Sequence, residues 1–323
     1  MESIREQITR RILTAMEAGV PPWRKGWEVS GTQVNATTGK PYSGLNQVLL
    51  AMTAASLPAA SLPQGGDPRW LTLRQANSIG KRVRKGEHST KIVRMVEVAK
   101  NQPEAEASSR TEVLGEEEER RLVLKVYDVF HASQIDGMEP MAPRANKMIE
   151  PGPAVDALSE GMRQTGLVIL HGAQGASYLP RIDTIRMPDK AAFHTSMDYA
   201  STLLHEMSHA TGHSSRLARL LPSGQFTEQE RAREELRAEL ASAMLGGELG
   251  LPMSQQQIDS HAAYLNSWHD LLANDPNEIF RAAADAQRIA DYLRQVALNP
   301  EVETSKENQL TDVLAPAVSH PRM

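Results

Sequence analysis

The chain has 323 residues, 40% of them apolar, enough to bury a core in each of two domains of ordinary size. It has no cysteine, which excludes disulfides, thiol nucleophiles and cysteine-based zinc sites, so a metal here must be held by histidine and carboxylate. The net charge of −5 divides unevenly: residues 1–100 carry 15 Lys/Arg against 7 Asp/Glu, and the remainder carries 20 against 33. A basic N-terminal part on an acidic body points to a polyanion partner for the first part alone.

In chain order, residues 3–19 are expected to form an amphipathic helix with Ile4, Ile8, Ile12 and Met16 on one face, stopped by Gly19, Pro21 and Pro22. A turn-rich stretch with Trp23 and Trp27 follows. NATTGKPYSGLNQVLL then reads as a loop entering a second helix, and SLPAASLPQGGDP as another loop. WLTLRQANSIG (70–80) predicts a short helix with Thr72 as its cap. KRVRKGEHSTKIVRMVEVAK predicts a basic turn running into a strand. The acidic segment 101–120 predicts a flexible hairpin excursion, and RLVLKVYDVFHASQI alternates like the returning strand.

Residues 1–137 therefore read as a small α+β domain and 138–150 as a proline-rich linker. A second domain is expected over 151–299: a helix (154–166), a strand (167–172), an extended stretch (176–188) as its hairpin partner, then helices over 196–212, 227–249, 254–274 and 276–297. The fold class is α+β, with a mostly helical second half. The tail 300–323 is polar and expected to be disordered. No run approaches the ~18 apolar residues of a membrane span. MESIREQITRRILTAMEAG lacks the apolar stretch and cleavage site of a signal peptide, so the cytoplasm is the expected location and no membrane partner is expected.

The segment YASTLLHEMSHATGH carries the chemistry. His205 and His209, at i and i+4, leave one helical face a turn apart and can reach one ion, with Glu206 beside it. Glu206 is then placed as general base, and the metal would lower the pKa of its water from ~16 toward ~7. A catalytic zinc site generally has three protein ligands and an open position. The metzincin pattern would put a third histidine at position 215, which is Ser215, and His213 is out of register.

A carboxylate from the following helix is the other solution, and EELRAELASAML offers Glu234, Glu235 and Glu239. Glu235 and Glu239 share a face flanked by Leu236 and Leu240. Glu235 is assigned as ligand and Glu239 as the partner of an imidazole N–H, with the reverse as alternative. Glu234 is expected to be solvent-exposed. Zn2+ is the expected metal, with Mn2+ and Co2+ also accepted by such a donor set. Tyr178, in the extended stretch before the helix, is the candidate to contact substrate or stabilise an oxyanion, against a buried structural role.

Residues 81–94 hold six Lys/Arg and one acid, the clustered charge that phosphates require. Only 14 aromatics occur in the whole chain, and Trp23, Trp27, Tyr42 and Trp70 fall in this basic part. Stacking platforms beside cations are the usual means of holding single strands without sequence preference. The candidate DNA-binding residues are Trp23, Lys40, Tyr42, Trp70, Lys81, Arg82, Arg84, Lys85 and Lys91.

Taken with PPW (21–23), NATTGKPYSGLN, RWLTLRQA, VRKGE, VYDVFHASQI, ASYLPRIDTIRMP, LLHEMSHATGHSSRLAR and EELRAELASAML, the chain resembles the ArdC-type antirestriction proteins of conjugative plasmids, with relatives in the N-terminal part of TraC-type plasmid primases. The resemblance runs over most of residues 3–297. It implies an N-terminal single-stranded-DNA-binding domain, a zincin-like metallopeptidase domain, and protection of incoming plasmid DNA from host restriction. It also implies His205, His209 and Glu235 as ligands and Glu206 as base, with a host protein or restriction enzyme as the partner acted on. The alternative is a non-enzymatic protein that occludes single-stranded DNA and keeps a structural or vestigial metal site.

Overall fold

The computed structural model describes residues 2–17, 31–57, 66–99, 111–116, 120–139, 141, 152–220, 225–251 and 255–298. The architecture is α+β. The first helix, α1 (Ile4–Met16), starts at a capping box in which the Ser3 hydroxyl accepts from the Glu6 N–H while Glu6 accepts from the Ser3 N–H. It buries Ile8, Ile12 and Met16. After β1 (Val34–Asn35) and a turn through Gly39, α2 (Leu45–Ser56) carries the apolar run Val48–Ala51 into the core.

Strand β2 (Arg69–Thr72) passes directly into α3 (Leu73–Ser78), with Thr72 as the N-cap, closing a capping box with Gln75. The predicted cap is in place. The residues before it are strand because Trp70 and Leu71 pair with β6 and are fully buried. The basic turn follows β3 (Arg82–Val83) and runs into β4 (Thr90–Ala99). The returning strand is β6 (Arg120–His131), which leads through a 3-10 turn to β7 (Ile135–Asp136).

These strands form a five-stranded sheet, β1-β2-β6-β4, with β5 (Thr111–Glu116) also on β6, and a separate β3-β7 ladder. β4 runs antiparallel to β6 over ten residue pairs, Thr90 opposite Val129 through Ala99 opposite Arg120. β5 is a departure from expectation. Its sequence TEVLGE reads as part of a polar excursion, but β6 has an edge left open beyond β2, and that edge supplies backbone partners for residues 111–116.

The second half opens with α4 (Gly152–Gln164), then β8 (Val168–Leu170), β9 (Ser177–Leu179) and β10 (Thr184–Arg186), in sheet order β8-β10-β9. The expected hairpin between 167–172 and 176–188 is not what forms. β10 pairs parallel with β8, and the hairpin lies inside 176–188, between β9 and β10, around Asp183 in the left-handed region (φ 45°).

Four helices follow: α5 (Ser196–Ala210), α6 (Glu228–Leu249), α7 (Gln255–Asn274) and α8 (Glu278–Leu298), within two residues of expectation at each end. The two halves share one hydrophobic core, in which Ile8, Ile12, Val48 and Leu49 pack with Leu203, Leu240, Trp268 and Ile289. Across that junction the Thr9 hydroxyl donates to the Pro276 carbonyl (2.9 Å), and the Gly44 N–H donates to Gln287 Oε1 (2.8 Å). Among the described residues no helix is long and apolar enough to cross a membrane. Trp23, Trp27, most of the predicted linker and the predicted tail lie outside the described residues.

Candidate metal centre and nucleic-acid interface

Two helices build the centre. α5 begins at a capping box of Thr195 and Asp198 and buries Leu203, Leu204 and Met207, which fixes its rotation and turns His205 and His209 toward α6. The chain leaves α5 through Gly212, where a Cβ would stand 2.6 Å from Leu220 Cγ, so no larger residue fits the turn as it stands. α6 begins at a capping box of Thr227 and Glu230 and buries Leu236, Leu240 and Met244, presenting Glu234 and Glu235 to the histidines. The Trp268 indole N–H on α7 donates to the Ala232 carbonyl (3.0 Å) and locks α7 onto α6.

The ligand atoms converge. His205 Nε2 and His209 Nε2 are 3.2 Å apart, and Glu235 Oε2 lies 3.6 Å from each. A circle through three points at these separations has a radius of about 2.0 Å, the length of a zinc–nitrogen or zinc–oxygen bond. The donor set therefore fits a divalent ion. It is the one group of three such side chains, among the described residues, whose ligand atoms all lie within 4.8 Å of one another. Glu235, not Glu239, completes it. Glu239 is fully buried one turn further along α6.

The field at the site favours a cation. Burial alone would lower the pKa of His209, but the charges of Glu235 and Glu234 and their hydrogen bonds hold it well above the ordinary imidazole value. Burial alone would raise Glu235, yet His209 and His205 hold its carboxyl far below the usual carboxylate range. A pocket that attracts a proton this strongly attracts a metal ion for the same electrostatic reason, and the two compete.

Glu234 is a correction. It is not a solvated charge: its side chain is 13% exposed, and Oε1 lies 3.3 Å from His209 Nδ1 and accepts from Arg219 Nη2 (2.9 Å). Arg219 also donates to the Ser208 carbonyl and the Thr211 hydroxyl at the end of α5. Glu234 thus orients the His209 ring through the nitrogen that faces away from the cradle, the part expected of Glu239. Position 234 is helical neighbour to 235, and periodicity alone puts it off the apolar face; the contact follows from where Arg219 lies after the turn. Tyr264 on α7 is a second residue the sequence did not single out. Burial raises its phenol pKa, and so do the charge of Glu235 and a hydrogen bond to it.

Tyr178 is committed elsewhere. Its hydroxyl donates to Asp183 Oδ1 (2.8 Å), and burial, then Asp183, raise its pKa. Asp183 also receives the Arg216 guanidinium, whose side chain is fully buried. Arg216 donates further to the Ala210 carbonyl (2.8 Å), the last residue of α5. The phenol belongs to a cluster that clamps the β9–β10 hairpin to the metal-site helix. His213 joins its margin: Nδ1 pairs with Ser215 Oγ at 2.8 Å and lies 3.8 Å from Asp183, away from the cradle.

The candidate DNA-binding residues differ in exposure and in how they are engaged. Trp70 is fully buried, its indole N–H donating to Gln33 Oε1 (2.7 Å) and its ring edge-on to His131, so it is core and not an open stacking platform. The correction has a simple cause: a tryptophan in a central strand pairs its neighbours' faces into the core, and Gln33 satisfies its one donor. Trp23 lies outside the described residues. Arg82 and Lys85 are exposed and Lys81 half-buried. Arg84 is tied to Glu87 (2.7 Å) and to the Ser133 carbonyl. Lys91 is exposed, 3.8 Å from Asp128. Lys40 is exposed and Tyr42 half-buried, in the turn before α2.

Two families match the chain: the N-terminal domain of anti-restriction factor ArdC over residues 2–130, and a zincin-like metallopeptidase over residues 156–285. Similar solved structures are the crystal structures of antirestriction ArdC protein from the R388 plasmid, metal-free and Mn(II)-bound, at 34% identity and TM-scores of 0.72 and 0.71. Each alignment covers 92% of this chain and 99% of that one. The chain is also 36% identical over 340 residues to a DNA primase TraC of Escherichia coli, covering 97% of this chain and 30% of the primase. It is 34% identical to Uncharacterized protein y4eC of Sinorhizobium fredii, covering 90% of this chain and 91% of that one. The chain spans less than a third of the length of the primases it matches.

Proposed function

This chain belongs to the ArdC family of antirestriction factors, and from that premise we propose that it binds single-stranded DNA through its N-terminal half, acts as a metal-dependent peptidase through its C-terminal half, and protects incoming conjugative DNA from restriction. The observation that carries the peptidase reading is the His205–His209–Glu235 cradle with Glu206 beside it on α5. Zn2+ is the proposed ion, from the donor set, and Mn2+ is the runner-up, since the R388 relative has a Mn(II)-bound form. The proposed location is the cytoplasm, and the proposed partners are single-stranded DNA and a host protein near it, restriction enzymes among them.

His205, His209 and Glu235 would hold the ion, and Glu234 keeps the His209 ring turned to it. Once bound, the ion supplies Lewis acidity that makes water a usable nucleophile near neutral pH. Glu206 is buried next to His205 and takes the proton of the attacking water, then delivers it to the leaving amide nitrogen. β8 and β9 are both edge strands of their sheet and offer free backbone groups against which an extended peptide can align.

Glu206→Gln keeps the side-chain shape and removes the base. It is expected to leave metal content and DNA affinity unchanged and to lower peptide hydrolysis by at least ~100-fold. Metal analysis, DNA titration and a peptide-library cleavage assay check the three arms. If the variant still protects plasmid DNA fully in cells, peptidase action is not how the protein works, and occupancy of the DNA takes its place. That second reading is favoured by the basic N-terminal part, which would protect by coverage alone.

Replacing Lys81, Arg82 and Lys85 together by alanine is expected to weaken single-strand binding and to flatten its salt dependence by roughly 2 in log–log slope, at about 0.7 per phosphate contact. Arg84 is left in place because it holds Glu87 and Ser133. An unchanged slope removes the β3 turn from the DNA path.

A further inference from the structure

Between the sheet and the end of the helical half lies a cleft of ≈ 940 Å3, within the range of ligand pockets. One wall is the turn Asn35–Ser43. There the Asn35 side chain caps the N–H groups of Thr37 and Thr38, donates to the Tyr42 hydroxyl and to Gln75, and so fixes Tyr42 while leaving Lys40 at the exposed crest. The floor is the β4–β6 pair, where Ile92 stands opposite Tyr127 and Arg94 opposite Lys125. The third wall is α8, through Phe280, Ala284 and Gln287.

Three features set this cleft apart. Among the described residues its lining contains two cations, Lys40 and Arg94, and no carboxylate, on a chain whose net charge is negative. Neither cation is in an ion pair among the described residues, whereas Arg84 and Lys91 both face acids. Its lining carries three aromatic rings (Tyr42, Tyr127, Phe280) of the 14 in the chain, and Tyr127 (38% exposed) and Met95 (58%) are large apolar groups left open. Amide side chains at Asn46 and Gln287 are already engaged, with the Val93 backbone and with Gly44, which leaves the cleft's shape preset.

Unpaired cations beside the open ring of Tyr127 and the half-buried ring of Phe280, which carries the Arg5 guanidinium 5.4 Å from its centroid, suit a phosphate backbone with unstacked bases. We propose that this cleft seats single-stranded DNA, with bases against Tyr127 and Phe280 and the backbone near Lys40 and Arg94, so that the DNA site is composite and requires α8 of the C-terminal half. The inference rests on the reading that the chain binds single-stranded DNA. It adds that the N-terminal family domain does not complete the site, since Phe280 lies far outside residues 2–130. The helix that forms this wall, α8, is in turn tied to α6, which carries Glu235, through Arg237 with Glu278 (2.9 Å) and Asp285 (2.6 Å).

The test uses the full chain and a fluorescent oligothymidylate of about 20 nucleotides. Tyr127→Ala, Phe280→Leu and Arg94→Ala are titrated beside wild type at fixed salt, with thermal melts as the folding control. Tyr127 and Arg94 are exposed, and leucine keeps the apolar contact of Phe280 while removing its ring. Each ring variant is expected to bind about tenfold more weakly with an unchanged salt slope, and Arg94→Ala to bind more weakly with a shallower slope. Photocrosslinking with 5-iodouracil in the oligonucleotide is expected to mark Tyr127 or Phe280. If wild type binds and the well-folded ring variants bind equally, the composite cleft is wrong while DNA binding stands, and a peptide becomes the candidate occupant. If wild type does not bind the oligonucleotide, both the cleft assignment and the underlying DNA reading fail.

Discussion

Glu235→Ala is expected to leave the purified protein without its metal ion, where wild type retains about one per chain after reconstitution. The reason is geometric and electrostatic together. Without Oε2 the two imidazole nitrogens, 3.2 Å apart, are the only donors left in the cradle. The carboxylate is also the first favourable charge acting on His209, against a burial that opposes any cation there. Glu234→Ala should be graded differently, because Glu234 touches the far nitrogen of His209: a metal affinity about 10- to 100-fold weaker, with binding retained. Glu239→Ala is expected to keep the metal and lower the melting temperature, since it opens a hole at a fully buried site. Metal content by mass spectrometry and competition with a chelator read all three. A Glu239 variant that loses the metal while Glu235→Ala keeps it would reverse the ligand assignment.

The second large effect is expected at Arg216. Its guanidinium is fully buried, paired with Asp183, and donates to Thr165 and to the Ala210 carbonyl. Arg216→Ala removes these bonds and leaves the Asp183 carboxylate with Tyr178 as its main partner, on a backbone already in the left-handed region. Breaking a buried pair from one side costs about 3–5 kcal/mol, which for a chain of this size lowers the melting temperature by roughly 4–7 °C. Replacing both partners, Arg216→Met with Asp183→Asn, is expected to recover part of that loss, because no buried charge is then left alone. A single variant that melts within about 2 °C of wild type would mean that the cluster does not hold the hairpin to α5.

Much of this could be read from sequence, and the limits have physical causes. The four C-terminal helices follow from apolar periodicity and from side chains that cap their starts, such as Thr195 with Asp198 and Thr227 with Glu230. The His205/His209 pair follows from the helical turn, and Glu235 from its place beside an apolar face. What periodicity does not carry is side-chain pairing across elements. Glu234 looks solvated until Arg219 is brought against it, and Trp70 looks like a stacking platform until Gln33 takes its indole N–H. β5 and the parallel β8–β10 pairing fail for the same reason: strand partners are chosen in three dimensions. The cleft walls come from residues more than 150 positions apart, so no local pattern could assemble them.

The contact between Thr9 and Pro276 spans 267 residues, and it sets a clock for biosynthesis. At ~5–20 residues per second, α1 leaves the ribosome roughly 15 to 50 s before the helices that cover it. Until then Ile8, Ile12 and Met16 have no α7 or α8 to bury them, and the nascent N-terminal half carries an open apolar stripe. Such long-range closure slows folding and invites chaperone capture. A ribosome-profiling experiment with trigger-type chaperones should find them held on the chain from α1 until α8 has emerged.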